Sequence, residues 1–585
     1  MPSKTPKFDA ALDEILKDLK PHTRKCKQCA GDFEIFKEDI EFYHKLRVPP
    51  PSECPTCRMQ KRMAMMANIL RFYKKKCEAH PDEFPFAQID EISPHKIFDT
   101  NYWWNPDAWD AKEFGRMYNP DQSFMEQLDS LLKDAPHMAI ARYNKQMVNS
   151  DYTADSMYCK NVYISSTIGL CEDVHYGVWA VYAKDSMDLL RVNQIENCYD
   201  AVDSAHCYNS QYIQNCENCI DSYFLFDCHN CQECFGCVNL RNKKYCFFNE
   251  QLSREEYKKR LSEINIGSRK TRDEYRKKFQ EFIKQRAIYK AITMKRAPNS
   301  IGDQLNGCKN CFQVFNAESV KFILTFYKNA NVRWSQDIVG ANDCMDLTIF
   351  GPGELCYNVI EGAQANKAIA SYFVSQSIEL EYCFECSDCK YCFGCSGLKK
   401  KQYYILNQPY SESEYWKKVD EIKTKMLREG TYGEFLRLEN SFFYYNDTYA
   451  QMSVPLDENS ARTLGAKWRV GEPIMHSDLE KINGDQLPDD IADVKDDILK
   501  KAIVCSETGR LFQITQWELN FYRKHGIPAP DKHYQVRLFE RFQRKNPYRL
   551  WKYPCSNCGQ EMHTSYDPAK KLKVYCEACY LKEVV

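Results

Sequence analysis

Eight cysteines stand where a metal ion would need them. Cys26 and Cys29, then Cys54 and Cys57, form two Cys-x-x-Cys hooks near the start of the chain, and Cys555 and Cys558 with Cys576 and Cys579 repeat the arrangement near its end. Paired hooks supply the four thiolates that a tetrahedral zinc ion prefers, so each set is expected to hold one structural zinc. Neither set leaves a coordination position open or has an adjacent Glu or His to act as a base, which a hydrolytic zinc would need. The sequence nominates no catalytic and no cofactor-binding residue, since it contains no Ser/His/Asp order, phosphate loop or dinucleotide fingerprint. His175, His206 and His229 fall among aromatic residues, where a hydrogen-bonded core or rim role is expected.

The elements around the hooks are duplicated. Cys26, Phe33, Ile35, Phe42, Tyr43, Lys45, Pro49, Pro51, Arg58 and Arg62 recur 479 positions later as Cys505, Phe512, Ile514, Phe521, Tyr522, Lys524, Pro528, Pro530, Arg537 and Arg541. In the later copy Thr508, His533 and Val536 replace the other three cysteines, so its zinc is expected to be lost. The reverse holds further along: Ile69 to Cys77 aligns with Pro547 to Cys555 and His80 with Cys558, but Asp99 and Tyr102 stand at the second hook. Each end therefore reads as two zinc modules in tandem, one intact and one degenerate.

The run Cys-x-x-Cys, Phe-x-Ile, Glu-Phe-Tyr, Val-Pro-Pro-Pro, Cys-Pro-x-Cys-Arg over residues 24–62 resembles a treble-clef-type zinc-ribbon domain. The resemblance implies a short helix from Arg58 to Ala67 and ligand roles for Cys26, Cys29, Cys54 and Cys57, with no catalytic residue. The whole chain is similar to uncharacterised cysteine-repeat zinc-ribbon proteins of small-genome bacteria.

Between the ends run 20 further cysteines, from Cys159 to Cys395. Cys198, Cys207 and Cys216 are nine apart, as are Cys219, Cys228, Cys237 and Cys246. Asn or Asp often precedes them, as at Asn197, Asn215, Asn218, Asp227 and Asn230, residue types that tolerate left-handed geometry at a sharp turn. Short strands joined by such corners describe a parallel β-helix, a cysteine solenoid. Cys228, Cys231, Cys234, Phe235, Gly236 and Cys237 recur 158 positions later as Cys386, Cys389, Cys392, Phe393, Gly394 and Cys395, so two solenoid halves are expected. Each half leads into a capping box, Ser253/Glu256 or Ser411/Glu414. A buried thiol ladder is the favoured role for these cysteines. Extra zinc, at Cys216/Cys219 with Cys228/Cys231 or at Cys308/Cys311, and an iron–sulfur cluster on Cys228 to Cys237 or Cys383 to Cys395 stay open.

A chain of 585 residues must be modular. The expected order is a helix and intact zinc module (1–62), a degenerate module and connector (63–148) and solenoid half one (149–250). A basic helical insert (251–298), half two (299–408), a helical cap and mixed linker (409–500) and a degenerate module followed by an intact ribbon (501–585) complete it. Lys+Arg 80 against Asp+Glu 81 excludes a chain devoted along its length to nucleic acid or anionic membrane. The insert, with 15 basic against 6 acidic residues, is the one segment where nucleic acid could bind. With no signal-like apolar start and no long apolar run, a cytoplasmic, membrane-free protein is expected. These observations point to a non-catalytic zinc-binding scaffold or interaction protein with an unidentified protein partner. An iron–sulfur or thiol redox protein and an RNA-binding or ribosome-associated factor are the alternatives.

Overall fold

The computed structural model describes residues 3–67, 71–143, 145–318, 321–322, 325–326, 329–471 and 478–584, so Ile69 and Val585 lie outside the described residues. Two units emerge, and each joins sequence-distant pieces. One comprises Met1–Ala141, Ile292–Arg469 and Tyr548–Leu550; the other comprises Arg142–Ala291, Val470–Pro547 and Trp551–Val585. The N-terminal modules thus share a unit with the second cysteine region, and most of the C-terminal segment shares one with the first.

Each cysteine region is a multi-strand sheet, of 12 strands in one unit and 14 in the other. The first pairs its strands in parallel as far as Cys246–Phe247, each residue facing the one twelve positions on, as in Leu189↔Ala201↔Ile213↔Leu225↔Cys237, and ends in an antiparallel pair with Glu250–Gln251. In the second sheet the same step holds from Ala330↔Asn342 to Phe393↔Ile405.

The step has a local cause. From Asn197 to Asn230 every third residue adopts the left-handed conformation, with φ between 46° and 57°. Asn and Asp fill many of these positions because their side chains make that region less costly than β-branched residues would. They also stack outside the strands: Asn218 donates to Asn230 at 3.0 Å and Asn230 to Asn242 at 2.9 Å, each reaching its counterpart one step away. The residue after each left-handed position turns inward, and four such triplets make one step of twelve. The nine-residue cysteine spacing read from the sequence is three triplets within that step, not the register itself.

Inward positions are confined, which selects small side chains. Cys198, Ala201, Ser204, Cys207, Ser210 and Ile213 are all at most 3% exposed. The thiols find partners in the backbone: Cys219 Sγ approaches the carbonyls of Glu217 at 3.6 Å and Cys228 at 3.2 Å. Cys383 makes the same pair with Glu381 and Cys392, both at 3.4 Å. Serine serves equally, since Ser222 Oγ donates to the Ile220 carbonyl at 2.8 Å and accepts from the Cys234 amide at 3.1 Å. Cys and Ser therefore interchange because each is small and offers a polar atom to an inward-turned backbone group.

Both regions end alike. Asn249 brackets Val238 through the amide and carbonyl, both at 2.9 Å, and Asn407 brackets Ser396 in the same way at 2.9 and 2.8 Å. The expected capping boxes then open the helices Arg254–Ser262 and Glu412–Glu429. In the basic helix Arg269–Arg286 several cations and rings turn onto the repeat. Arg272 donates to Gln211 and to the Tyr212 hydroxyl, Arg276 lies over the Tyr212 ring, and Phe279 packs on Phe224. No helix among the described residues is long and apolar enough to cross a membrane.

Asn218→Val is expected to destabilise its unit by about 1–2 kcal/mol and Asn218→Gly by less, because only valine is strained at positive φ. Chemical denaturation of the two variants checks this.

Candidate metal centres

The first set is built on a hairpin and a helix start. The strands His22–Lys25 and Asp32–Ile35 pair antiparallel, and the turn between them closes through the Cys26 amide on Gly31 at 2.8 Å and the Ala30 amide on Cys26 at 2.9 Å. Ala30 takes φ 57° there. Cys54 caps the helix Pro55–Met63, its sulfur accepting the Cys57 amide at 3.5 Å, while its own amide reaches Cys26 Sγ at 3.3 Å. The ligand atoms of Cys26, Cys29, Cys54 and Cys57 all lie within 4.8 Å of one another, and Cys29 and Cys54 are 3.9 Å apart. A tetrahedron with metal–sulfur bonds of ~2.3 Å would separate its sulfurs by ~3.8 Å, so the four thiols fit one ion. Hydrogen bonding from the Cys57 thiol leads the effects that hold Cys54 down to about 5.

Cys555, Cys558, Cys576 and Cys579 repeat the plan on the hairpin Trp551–Pro554/Glu561–Thr564. The Cys555 amide binds the Gln560 carbonyl at 2.9 Å, the Cys576 amide reaches Cys555 Sγ at 3.3 Å, and Cys558 and Cys576 are 3.9 Å apart. Burial opposes ionisation of Cys555, but amides of Cys558, Cys576 and Asn557 overcome it and lower the thiol to about 6.

The degenerate modules keep the frame without the cage. The Cys505 amide binds Arg510 O at 2.8 Å and the His533 amide reaches Cys505 Sγ at 3.3 Å. In the other, the Cys77 amide binds Glu83 O at 3.0 Å and the Asp99 amide reaches Cys77 Sγ at 3.4 Å. The N–H···S contact that would support a metal-bound thiolate thus survives in all four modules. Among the described residues, however, only the two intact sets gather three or more candidate donors. His533 and Asp99 instead cap the helices Tyr534–Phe542 and Thr100–Trp104.

A second charged centre went unread in the sequence. Arg58 Nε binds Asp346 Oδ2 at 2.8 Å, and Arg62 approaches Oδ1 at 3.5 Å while also binding Thr348 at 3.0 Å and Asn358 at 3.2 Å. All three charged side chains are buried, and burial lowers the Arg62 guanidinium to about 10 despite Asp346. In the other unit Arg537 Nε and Arg541 Nη2 bind Asp188 at 2.8 and 2.9 Å. The arginines are partners in the first duplication, and Asp346 and Asp188 are partners in the second. The conserved offsets were the available signal: both arginine pairs were aligned, but nothing in the sequence tied them to the aspartates.

The histidines take structural places. His175 stacks on Trp517 at 4.0 Å and is pulled by burial to about 3, His206 occupies a left-handed corner, and His229 lies 3.5 Å from Asp227.

Asp346→Ala and Asp188→Ala are each expected to cost about 3–5 kcal/mol, because each strands two buried guanidinium groups. Urea denaturation of the two variants measures it, and restoring a carboxylate as Asp346→Glu should recover only part. No known protein family matches this chain, and no characterised protein or solved structure matches it either.

Proposed function

We propose that this chain is a non-catalytic scaffold in which zinc-clasped modules are fastened to cysteine-rich parallel β-helices. The twelve-residue register and its four inward positions per step support the β-helical reading. The four-thiolate sets, at zinc–thiolate spacing with every position filled by protein, support two structural zinc ions and resemble zinc-ribbon modules. The observation that carries the functional reading is the repeated clamp of two buried arginines on one aspartate. The charge buried there fastens a module to a repeat and forms no open site. Long repeat surfaces of this kind suit protein partners. The RNA-binding alternative has less support, because Arg272 and Arg276 of the basic helix are engaged with the repeat beneath.

Metal analysis of the purified chain should give about two zinc ions per chain, and chelation should loosen both end modules, seen as faster amide exchange there. The scaffold reading is tested by isolating the tagged chain from its native host at low salt. A stoichiometric protein partner that is lost on chelation is the expected result, whereas RNA as the sole co-purifying component would overturn it.

A further inference from the structure

The inward cysteines are not spread evenly. In the Arg142–Ala291 unit, Cys228, Cys231, Cys234 and Cys237 occupy four successive inward positions, which is one complete step of twelve. The register places Cys219 on one side of Cys231 and Cys246 beside Cys234, at the ~4.8 Å separation of neighbouring strands. Along the chain these four thiols recur at every third residue, and across strands Cys231 and Cys234 each meet a cysteine twelve residues away. All six are at most 2% exposed. The other unit repeats this, with Cys386, Cys389, Cys392 and Cys395 at four successive inward positions, all fully buried, and Cys383 one step from Cys395.

A packing role alone does not account for such contiguity, since Ser, Ala, Val and Leu fill the same inward positions elsewhere. The nearby helix that opens at Arg254 also buries Tyr257, which is 1% exposed and whose hydroxyl has no hydrogen-bond partner among the described residues.

We propose that these interior thiols, centred on Cys228, Cys231, Cys234 and Cys237, form a binding site for monovalent copper, with Cys386, Cys389, Cys392 and Cys395 as its counterpart. Geometry selects the ion. Among the described residues only the terminal sets bring three or more donors within 4.8 Å of one another, so the interior thiols offer a chain of neighbours and not a tetrahedral cage. Soft thiolates favour Cu(I), which accepts two sulfurs where zinc and iron–sulfur clusters require four converging ones. Charge selects it too. Each Cu(I) that bridges two sulfurs replaces one thiol proton, so a chain with one copper per sulfur is neutral. Zinc held by four thiolates would bury two negative charges in an apolar interior. In each event an S–H bond breaks, S–Cu bonds form and the proton leaves to solvent. Copper stays in the +1 state and nothing is oxidised.

The test titrates Cu(I) into the reduced, zinc-loaded full chain under anaerobic conditions against a colorimetric Cu(I) chelator, with zinc release followed in parallel. Several copper ions should bind before zinc leaves, with the ultraviolet absorption and red emission of solvent-shielded copper thiolates. The variant combining Cys228→Ser, Cys231→Ser, Cys234→Ser and Cys237→Ser should lose roughly a third to a half of that uptake and keep its zinc. Serine already occupies such positions, so the variant is expected to fold, and circular dichroism confirms it. If it does not fold, emission from the unaltered chain decides. Copper uptake that tracks zinc release from the first addition, uptake by the folded variant equal to the parent's, or no copper emission from the parent would overturn the proposal.

Discussion

A backbone that turns left-handed at every third residue constrains everything built on it. With φ near +50° at Asn197, Asp200, Asp203 and onward, the next side chain points inward, and four such turns return the chain to register with the strand before. The interior is then so confined that only small or slender residues fit, and its carbonyls need donors. Cysteine meets both demands, as the paired contacts of Cys219 and Cys383 with carbonyls two residues before and nine after illustrate. Asparagine and aspartate outside and cysteine or serine inside are two consequences of one conformational choice.

On this base, buried charge does what apolar packing alone would do less specifically. An aspartate buried at a left-handed corner beneath a helix is costly unless paired, and two arginines from that helix compensate Asp346 while neighbouring hydroxyl and amide groups take further donors. The same solution at Asp188 serves a module that has lost three of its four thiols. Docking at Asp188 therefore does not require a complete four-thiol set. This explains how the Cys505 module keeps its hairpin, its N–H···S contact and its helix cap with His533 in place of a ligand.

Thiols play two physically distinct parts in one chain. At the ends, hairpin amides and a helix start converge four sulfurs on one point, with Cys54 and Cys555 lowered to about 5 and about 6. Inside the repeats burial instead raises thiols such as Cys159 to about 11, and the sulfurs line up along the register without converging. A converging set suits a tetrahedral ion, and an aligned set suits two-coordinate bridging. The difference is one of backbone geometry, since the residue type is the same.

The sequence by itself located the eight terminal thiols that could hold a metal, because Cys-x-x-Cys spacing brings two sulfurs to one turn whatever surrounds it. It also determined the two capping boxes, which are local hydrogen-bond patterns, and the asparagine and aspartate corners, which follow from tolerance of positive φ. It misdirected the period: nine-residue intervals between cysteines were the visible regularity, but cysteine fills only some inward positions, and Ala201, Ser204 and Leu225 share the others. Only the tertiary structure decided that the true step is twelve, since strand pairing sets it and pairing is not written in any one strand. It also decided that Arg58 and Arg62 meet Asp346, and Arg537 and Arg541 meet Asp188. Those partners lie hundreds of residues apart, and no local propensity encodes which buried carboxylate a buried guanidinium will find.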